Sequence, residues 1–242
     1  MLTKTKAIVL HSLKFGDSQL IVEILTETYG RVSFIQQLSK TSKAKIKKQC
    51  FQPLTLLDVE FDFRQNAKLQ RLKTVTISTP FSDIPFNPYK LSISLFLADF
   101  LNYSTRREQQ NEPLFNYIWA GIEWLDTSQG SISNFHLVFM MRLAKFLGFS
   151  PNLDDATEHS YFDLRNACFT TVAPLHTEFL QPIEAQRIHT LMRMNYETMH
   201  LFKMSRTQRN RCTEIILGYY ALHIPGFPEL KSFEVLKDLF GV

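Results

Sequence analysis

Residues 4–35, KTKAIVLHSLKFGDSQLIVEILTETYGRVSFI, carry three apolar runs, Ala7–Leu10, Leu20–Leu25 and Val32–Ile35. Two segments separate them, Phe15-Gly16-Asp17-Ser18 and Glu27-Thr28-Tyr29-Gly30. Each holds a glycine, which takes φ > 0 without steric cost where a chain reverses between strands. Short strands about ten residues apart announce a small antiparallel barrel or sandwich.

Further along, Leu57, Val59, Phe61 and Phe63 alternate with Asp58, Glu60 and Asp62 after Pro53, the period of a half-buried strand. Gln65-Asn66-Ala67 then turns the chain into LQRLKTVTIS, a fifth strand. Five strands in about eighty residues, with a loop or short helix around 40–50, fit an OB-fold barrel. The expected architecture is therefore α+β: an OB-fold barrel over residues 1–80 and an all-α helical domain over 81–242, with a small β-hairpin near 158–172.

The net charge of +4 is unevenly placed, since residues 1–80 hold 13 Lys+Arg against 6 Asp+Glu and residues 81–242 hold 14 against 17. A basic β module beside a nearly neutral remainder points to a polyanion for the first and to protein for the second. Lys40, Lys43, Lys45, Lys47 and Lys48 follow one another without an intervening acid. OB barrels hold nucleic acid with a cationic groove and stacking rings. The candidate nucleic-acid-binding residues are Arg31, Phe34, Lys40, Lys43, Lys45, Lys47, Lys48, Arg64, Lys68, Arg71 and Lys73. Phe61 and Phe63 share a face with Leu57 and Val59 and read as core.

SDIPFNP, residues 82–88, reads as a domain linker, after which the period becomes helical. Leu91, Leu95, Ala98 and Leu101 mark one helix, Glu112-Pro113 opens a second, and ISNFHLVFMMRLAKFLGF is apolar nearly all round, as a central helix would be. A stripe of Ile188, Leu191, Met192, Met199 and Phe202 suggests one long helix after Pro182. Lys203, Arg206, Arg209 and Arg211 precede a further helix, TEIILGYYALHI, and Phe233, Leu236, Leu239 and Phe240 form a short amphipathic end that docks on the helical domain.

TKAIVLHSLKFGDSQLIVEILTETYGRVSFI, FQPLTLLDVEF, EPLFNYIWAGIEWLD and NFHLVFMMRLAKFLGFSPNL, in this order, resemble the RecO family of bacterial recombination mediators. The resemblance implies an OB domain followed by a helical domain, binding of single- and double-stranded DNA, and annealing of complementary strands. It also implies action with RecR to load RecA recombinase onto DNA coated by single-stranded-DNA-binding protein, with no bond-making chemistry. The acidic, aromatic-ended C-terminal tail of the single-stranded-DNA-binding protein would meet Phe139, Arg142 and Lys145, or Arg206, Arg209 and Arg211.

Some members of that family insert a four-cysteine zinc module after the LGF-like helix. Here that region holds only Cys168, so no metal or other cofactor is expected, and Tyr161–Leu164 with Cys168–Thr171 reads as a hairpin held by apolar contact. Leu38-Ser39-Lys40 also lacks the glycine that many relatives carry in the early basic loop.

Three scattered cysteines support neither a disulfide framework nor zinc, and seven scattered histidines contain no HExxH. No phosphate-cradling glycine loop occurs. Asp154-Asp155 with Glu158 and His159 reads as a solvated loop, and the chain is not expected to be an enzyme. With no signal-peptide pattern and no membrane-length apolar run, it is expected in the cytoplasm, at the nucleoid during repair. Two alternatives stay open: an OB-fold protein-interaction scaffold, and an RNA-binding protein, because phosphate recognition alone does not distinguish the sugars.

Overall fold

The computed structural model describes residues 2–37 and 46–238. The chain forms two compact units, residues 1–127 with 230–236, and 128–229 with 237–242.

In the first unit, β1 (Leu2–Phe15), β2 (Gln19–Thr26), β3 (Gly30–Gln37), β4 (Leu56–Asp62) and β5 (Leu72–Thr79) form an antiparallel sheet in the order β3-β2-β1-β4-β5. β1 is central because it is long enough to pair twice: Leu2–Ile8 with β4 and Ala7–Phe15 with β2. The register shifts between Val9 and His11, a bulge that bends the strand and helps curl the sheet. A parallel bridge from Phe34 to Gln70 closes it, with Ile35 N donating to Gln70 O (2.9 Å) and Gln70 N to Ser33 O (2.9 Å). The product is an OB-like barrel around Ala7, Val9, Val22, Ile24, Phe34, Leu57, Val59 and Phe61. Phe61 belongs to that core, and Phe63 packs on it, stacked on Tyr29 at 4.1 Å.

Helices α1 (Pro88–Ser104) and α2 (Glu112–Thr127) belong to the same unit. Asn87 caps α1 by accepting from Tyr89 N and Lys90 N, with Pro88 in the first turn, where its missing N–H leaves no bond unmade. The segment expected as a linker is tied down. The Asp126 carboxylate, 4% exposed, accepts from Ser82 N, Ser82 Oγ, Asp83 N and Ile84 N at 2.7–3.0 Å. Buried Lys90 completes the knot, bonding Asp126 O and Asp83 Oδ2, both at 2.8 Å. Single-residue hydropathy could not reveal this, because the knot joins positions about forty apart.

The turn between the two helices lies against the barrel at Gly30. Its φ is +64°, and a Cβ there would sit 2.2 Å from Gln109 O. Arg31 N donates to Glu108 O (3.1 Å), and Lys6 Nζ lies 5.1 Å from the centre of the Trp119 ring of α2. The short helix α6 (Lys231–Lys237) contributes Ser232, bonded to Asp99 at 2.6 Å, and Phe233, whose ring lies 6.0 Å from that of Phe96. Leu239 and Phe240 lie outside the described residues.

The second unit contains α3 (Phe135–Phe146), β6 (Tyr161–Asp163), β7 (Cys168–Thr170), β8 (Phe179–Leu180), α4 (Pro182–Arg193) and α5 (Arg206–His223). α3 is buried almost all round. Its His136, bonded to Thr213 of α5 at 3.1 Å, is driven by burial down to a pKa of about 3 and stays neutral. The hairpin β6–β7 forms, with Phe162 facing Phe169, and β8 adds a third strand that the sequence reading missed. Asp163 holds its turn: Oδ1 accepts from Arg165 N and Asn166 N, and Oδ2 accepts from Asn166 Nδ2.

Two helix bounds differ from expectation. The stripe 188–202 is not one helix. α4 ends at Arg193 because Met194 is extended and Asn195 Oδ1 accepts from Thr198 N in a competing turn. α5 starts seven residues before Thr213, because Ser205 and Gln208 form a reciprocal capping box.

Gly30→Ala should lower stability by about 3 kcal/mol or more in urea denaturation, since the new Cβ overlaps a backbone carbonyl at positive φ. Gly16→Ala, also at positive φ but with open space around it, should cost about 1 kcal/mol. Burial would raise the pKa of Asp126 and Asp163, but the donors around each outweigh it and hold both below the usual carboxylate value. Their stabilisation is therefore present above the unfolded pKa of ~3.9 and lost as pH falls through the lower folded values. Melting temperatures measured from pH 5 downward should fall less steeply for Asp126→Asn than for the natural chain.

Candidate nucleic-acid interface

Because paired residues of an antiparallel sheet share a face, the registers give the outer surface of β1–β3 row by row. His11, Glu23 and Ser33 form one row, Leu13, Ile21 and Ile35 the next, and Phe15, Gln19 and Gln37 the last. The parallel bridge extends two of them, setting Leu69 beside Ser33 and Arg71 beside Ile35.

The row nearest α1 is polar and largely engaged. Arg31 donates to Glu23 Oε2 (3.1 Å), to Asn102 Oδ1 (2.6 Å) and to Asn102 O, while Ser33 Oγ donates to Glu23 Oε1 (2.7 Å). Only 11% of the Arg31 side chain is exposed. Burial pulls its pKa below the ordinary guanidinium value, opposed by Glu23, and nearby Arg106 pulls it down further. Arg31, expected on the DNA track, instead fastens the barrel to α1. A cleft of about 550 Å³ opens beside it, lined by His11, Glu23, Arg31, Ser33, Asn102, Tyr103 and exposed Arg106.

The opposite margin is the loop between β4 and β5. Buried Gln70 knits it together: Oε1 accepts from Arg64 N (3.0 Å), and Nε2 donates to Arg64 O (2.8 Å) and Ala67 O (2.9 Å). Arg64, Lys68 and Arg71 are exposed around it, and Lys73 pairs with Asp62 at 2.6 Å across a cleft of about 150 Å³. Lys47 and Lys48 are exposed at a 3-10 turn anchored by buried Phe51. Lys40, Lys43 and Lys45 lie outside the described residues. Phe34 cannot offer a face to a base. It is 0% exposed, with its ring edge-on to Phe61 at 4.9 Å, because inward alternation puts it in the barrel core.

The expected partner residues of the second unit are similarly redistributed. Phe139 is 0% exposed in α3 and cannot line an open groove. Arg142 bonds Met194 O at 3.0 and 3.2 Å, holding the end of α4. Arg206 bonds Lys237 O and pairs with Asp238, Arg209 donates to Met204 O (2.6 Å), and Arg211 grips both Glu184 oxygens (2.6 and 2.9 Å). Lys145 and Lys203 are exposed.

Comparison with known proteins follows this geometry. A family model described as Recombination protein O N terminal matches residues 1–81, and one described as Recombination protein O C terminal matches residues 85–232. The chain belongs to the RecO family. It is 54% identical to the DNA repair protein RecO of Bacteroides fragilis, over 99% of this chain and all of that protein. The RecO of Phocaeicola vulgatus is 51% identical and that of Flavobacterium psychrophilum 33%, each over the whole of both chains. The two RecO models change over between residues 81 and 85, whereas the compact units divide after Thr127, because the α1–α2 turn is seated on the barrel.

In the region where the family resemblance raised the question of a zinc module, this chain has the three-stranded sheet β7-β6-β8. The donor set there does not fit the metal: Cys168 is its one cysteine, and Asp163 is engaged by backbone amides. Among the described residues no three His, Cys, Asp or Glu side chains are grouped to hold a metal ion.

Sequence reasoning missed Arg106, Gln70 and Phe15. Gln70 and Arg106 carry no local signal, whereas the alternation Leu13, Phe15 against Ser12, Lys14 does mark an outward apolar edge. Arg31→Ala should lower stability by about 2 kcal/mol, losing charged hydrogen bonds at a partly buried site, with little change in DNA affinity. Arg71→Ala should do the reverse. Denaturation and oligonucleotide titration of both variants check this.

Proposed function

We propose that the barrel grips the sugar-phosphate backbone of DNA without sequence preference, through Arg64, Lys68, Arg71, Lys47 and Lys48 together with the lysines of residues 40–45. The single observation that supports this most is the exposed cationic loop Arg64–Arg71, held in one shape by Gln70 on the edge of an OB-like barrel in a RecO-family chain. Both single and double strands carry the phosphates such a surface takes. By neutralising two strands at once, it lowers the repulsion that opposes their annealing.

In this reading the protein is a recombination mediator that works by binding and makes no covalent bond. It acts in the cytoplasm with RecR to load RecA onto strands coated by single-stranded-DNA-binding protein. The helical part receives that protein's acidic tail through cations not engaged in holding the fold, of which Lys145 and Lys203 are exposed. Among the described residues no helix is long and apolar enough to cross a membrane.

Counterion release makes such binding fall steeply with salt. The slope of log K against log[salt] should lose about 0.7–0.9 for each phosphate contact removed, tested with Lys47→Gln, Arg64→Gln, Lys68→Gln and Arg71→Gln in steps. An unchanged slope in the quadruple variant contradicts the proposal. Competition between DNA and RNA of equal length separates this reading from the RNA-binding alternative.

A further inference from the structure

The three-stranded sheet of the second unit carries a group of charges that the proposed function does not use. His176 lies on the loop between β7 and β8, and its ring stands between two carboxylates. Nε2 is 3.3 Å from Asp163 Oδ2, and Nδ1 is 3.4 Å from Glu178 Oε2. Asp163 ends β6 and Glu178 immediately precedes β8, so the ring bridges the hairpin and the strand added to it. The site is sheltered, with 21% of the His176 side chain exposed, 9% of Asp163 and 33% of Glu178.

The protonation state of the ring decides what this geometry is worth. A neutral imidazole has one N–H and one lone pair, so either tautomer donates to one carboxylate and turns its lone pair towards the other. The imidazolium, with an N–H on each nitrogen, donates to both. The surrounding groups do not replace it. Arg165 of the hairpin turn approaches Glu178 Oε2 at 2.8 Å, whereas Asp163 is met by two backbone amides and Asn166 Nδ2, which carry no charge. Cys168 pairs with Asp163 across the β6–β7 ladder. Of the helices packed on this sheet, α5 turns His223 to Leu164 O (2.9 Å) and α4 turns Glu184 to Arg211. Both carboxylates are held below their usual range, Asp163 by donors that outweigh its burial and Glu178 chiefly by Arg165. Histidine is therefore the member of this group whose charge changes between about pH 5 and 8.

We propose that His176 is a proton-operated clasp: as the imidazolium it ties the β7–β8 loop and the start of β8 to the β6–β7 hairpin, and as the neutral ring it releases one of the two carboxylates. The sheet is thus fastened by charge at a place whose donor set does not suit a metal. The loop under this restraint carries Val172, 72% exposed, and Leu175, wholly exposed. A closed clasp presents these two apolar side chains from one fixed position, and an open one from a moving loop. The closed form holds the proton, so by linkage closure is favoured on the acid side and lost as the pH rises. The clasp stands apart from the DNA-binding reading and does not depend on it.

The test is amide hydrogen exchange on the full chain, read at Leu164, whose N–H donates to Glu178 O (3.1 Å), and at Phe162 and Leu180, where β6 pairs with β8. After correction for intrinsic exchange rates, protection there should be roughly three- to fivefold greater at about pH 5.5 than at about pH 8, the effect of one partly exposed ion pair. Protection at Leu143 in α3 should not change with it. The response should vanish in His176→Gln and shrink in Glu178→Gln, which keeps the ring and removes one of its carboxylates. Equal protection at the two pH values in the natural chain overturns the clasp. So does a response that survives in His176→Gln or is matched at Leu143. Loss of protection on adding EDTA at the lower pH would assign the hold to a metal and overturn it as well.

Discussion

The approach of the α1–α2 turn to Gly30 constrains the rest of the first unit. The Gln109 carbonyl occupies the space a side chain would need, Arg31 N bonds Glu108 O, and the Arg31 guanidinium reaches Asn102 at the end of α1. Since β3 starts at Gly30 and carries the bridge to Gln70 further along, the same strand both seats the helices and closes the barrel. At the other end of the helical pair, Asp126 and Lys90 bind residues 82–84 back onto α2. The barrel and the first two helices therefore behave as one body, although sequence models divide the chain between residues 81 and 85.

That arrangement divides the outer face of the sheet in two. Towards α1 the groups are engaged: Ile8, Leu10 and Leu25 are buried, and Arg31 and Ser33 both bond Glu23 beside the cleft that Arg106 lines. Towards the β1–β2 turn it is open, apolar in the middle and cationic at its edge. A charge turned inward to hold a helix is not available to a phosphate, so the position of an arginine on a strand says less about binding than what that strand packs against. In the second unit Arg142, Arg206 and Arg211 each bond a helix end or another helix while their side chains stay partly exposed.

Much of this was legible in the sequence where the cause is local. The alternation of Leu57, Val59 and Phe61, the turn glycines and Pro113 report on backbone choices made within a few residues, and the strands and helices they mark are present. The hairpin at 161–170 was readable for the same reason. What was not legible depends on distant partners. Arg31 and Asn102 are 71 positions apart, Ser82 and Asp126 are 44 apart, and neither pair leaves a periodic trace. Phe34 was a site candidate because rings stack on bases, yet its alternation with Ser33 and Ile35 already placed it with Val32 on the inward face. The stripe 188–202 misled because apolar spacing persists through a turn that Asn195 imposes.

The most direct measurement is amide and methyl NMR of the full chain titrated with a single-stranded oligonucleotide. The account requires shifts concentrated at Lys47, Lys48, Arg64, Lys68 and Arg71, with Arg31, Glu23 and Asn102 barely moving. Shifts centred on Arg31 and its partners, or confined to residues 128–229, would contradict it.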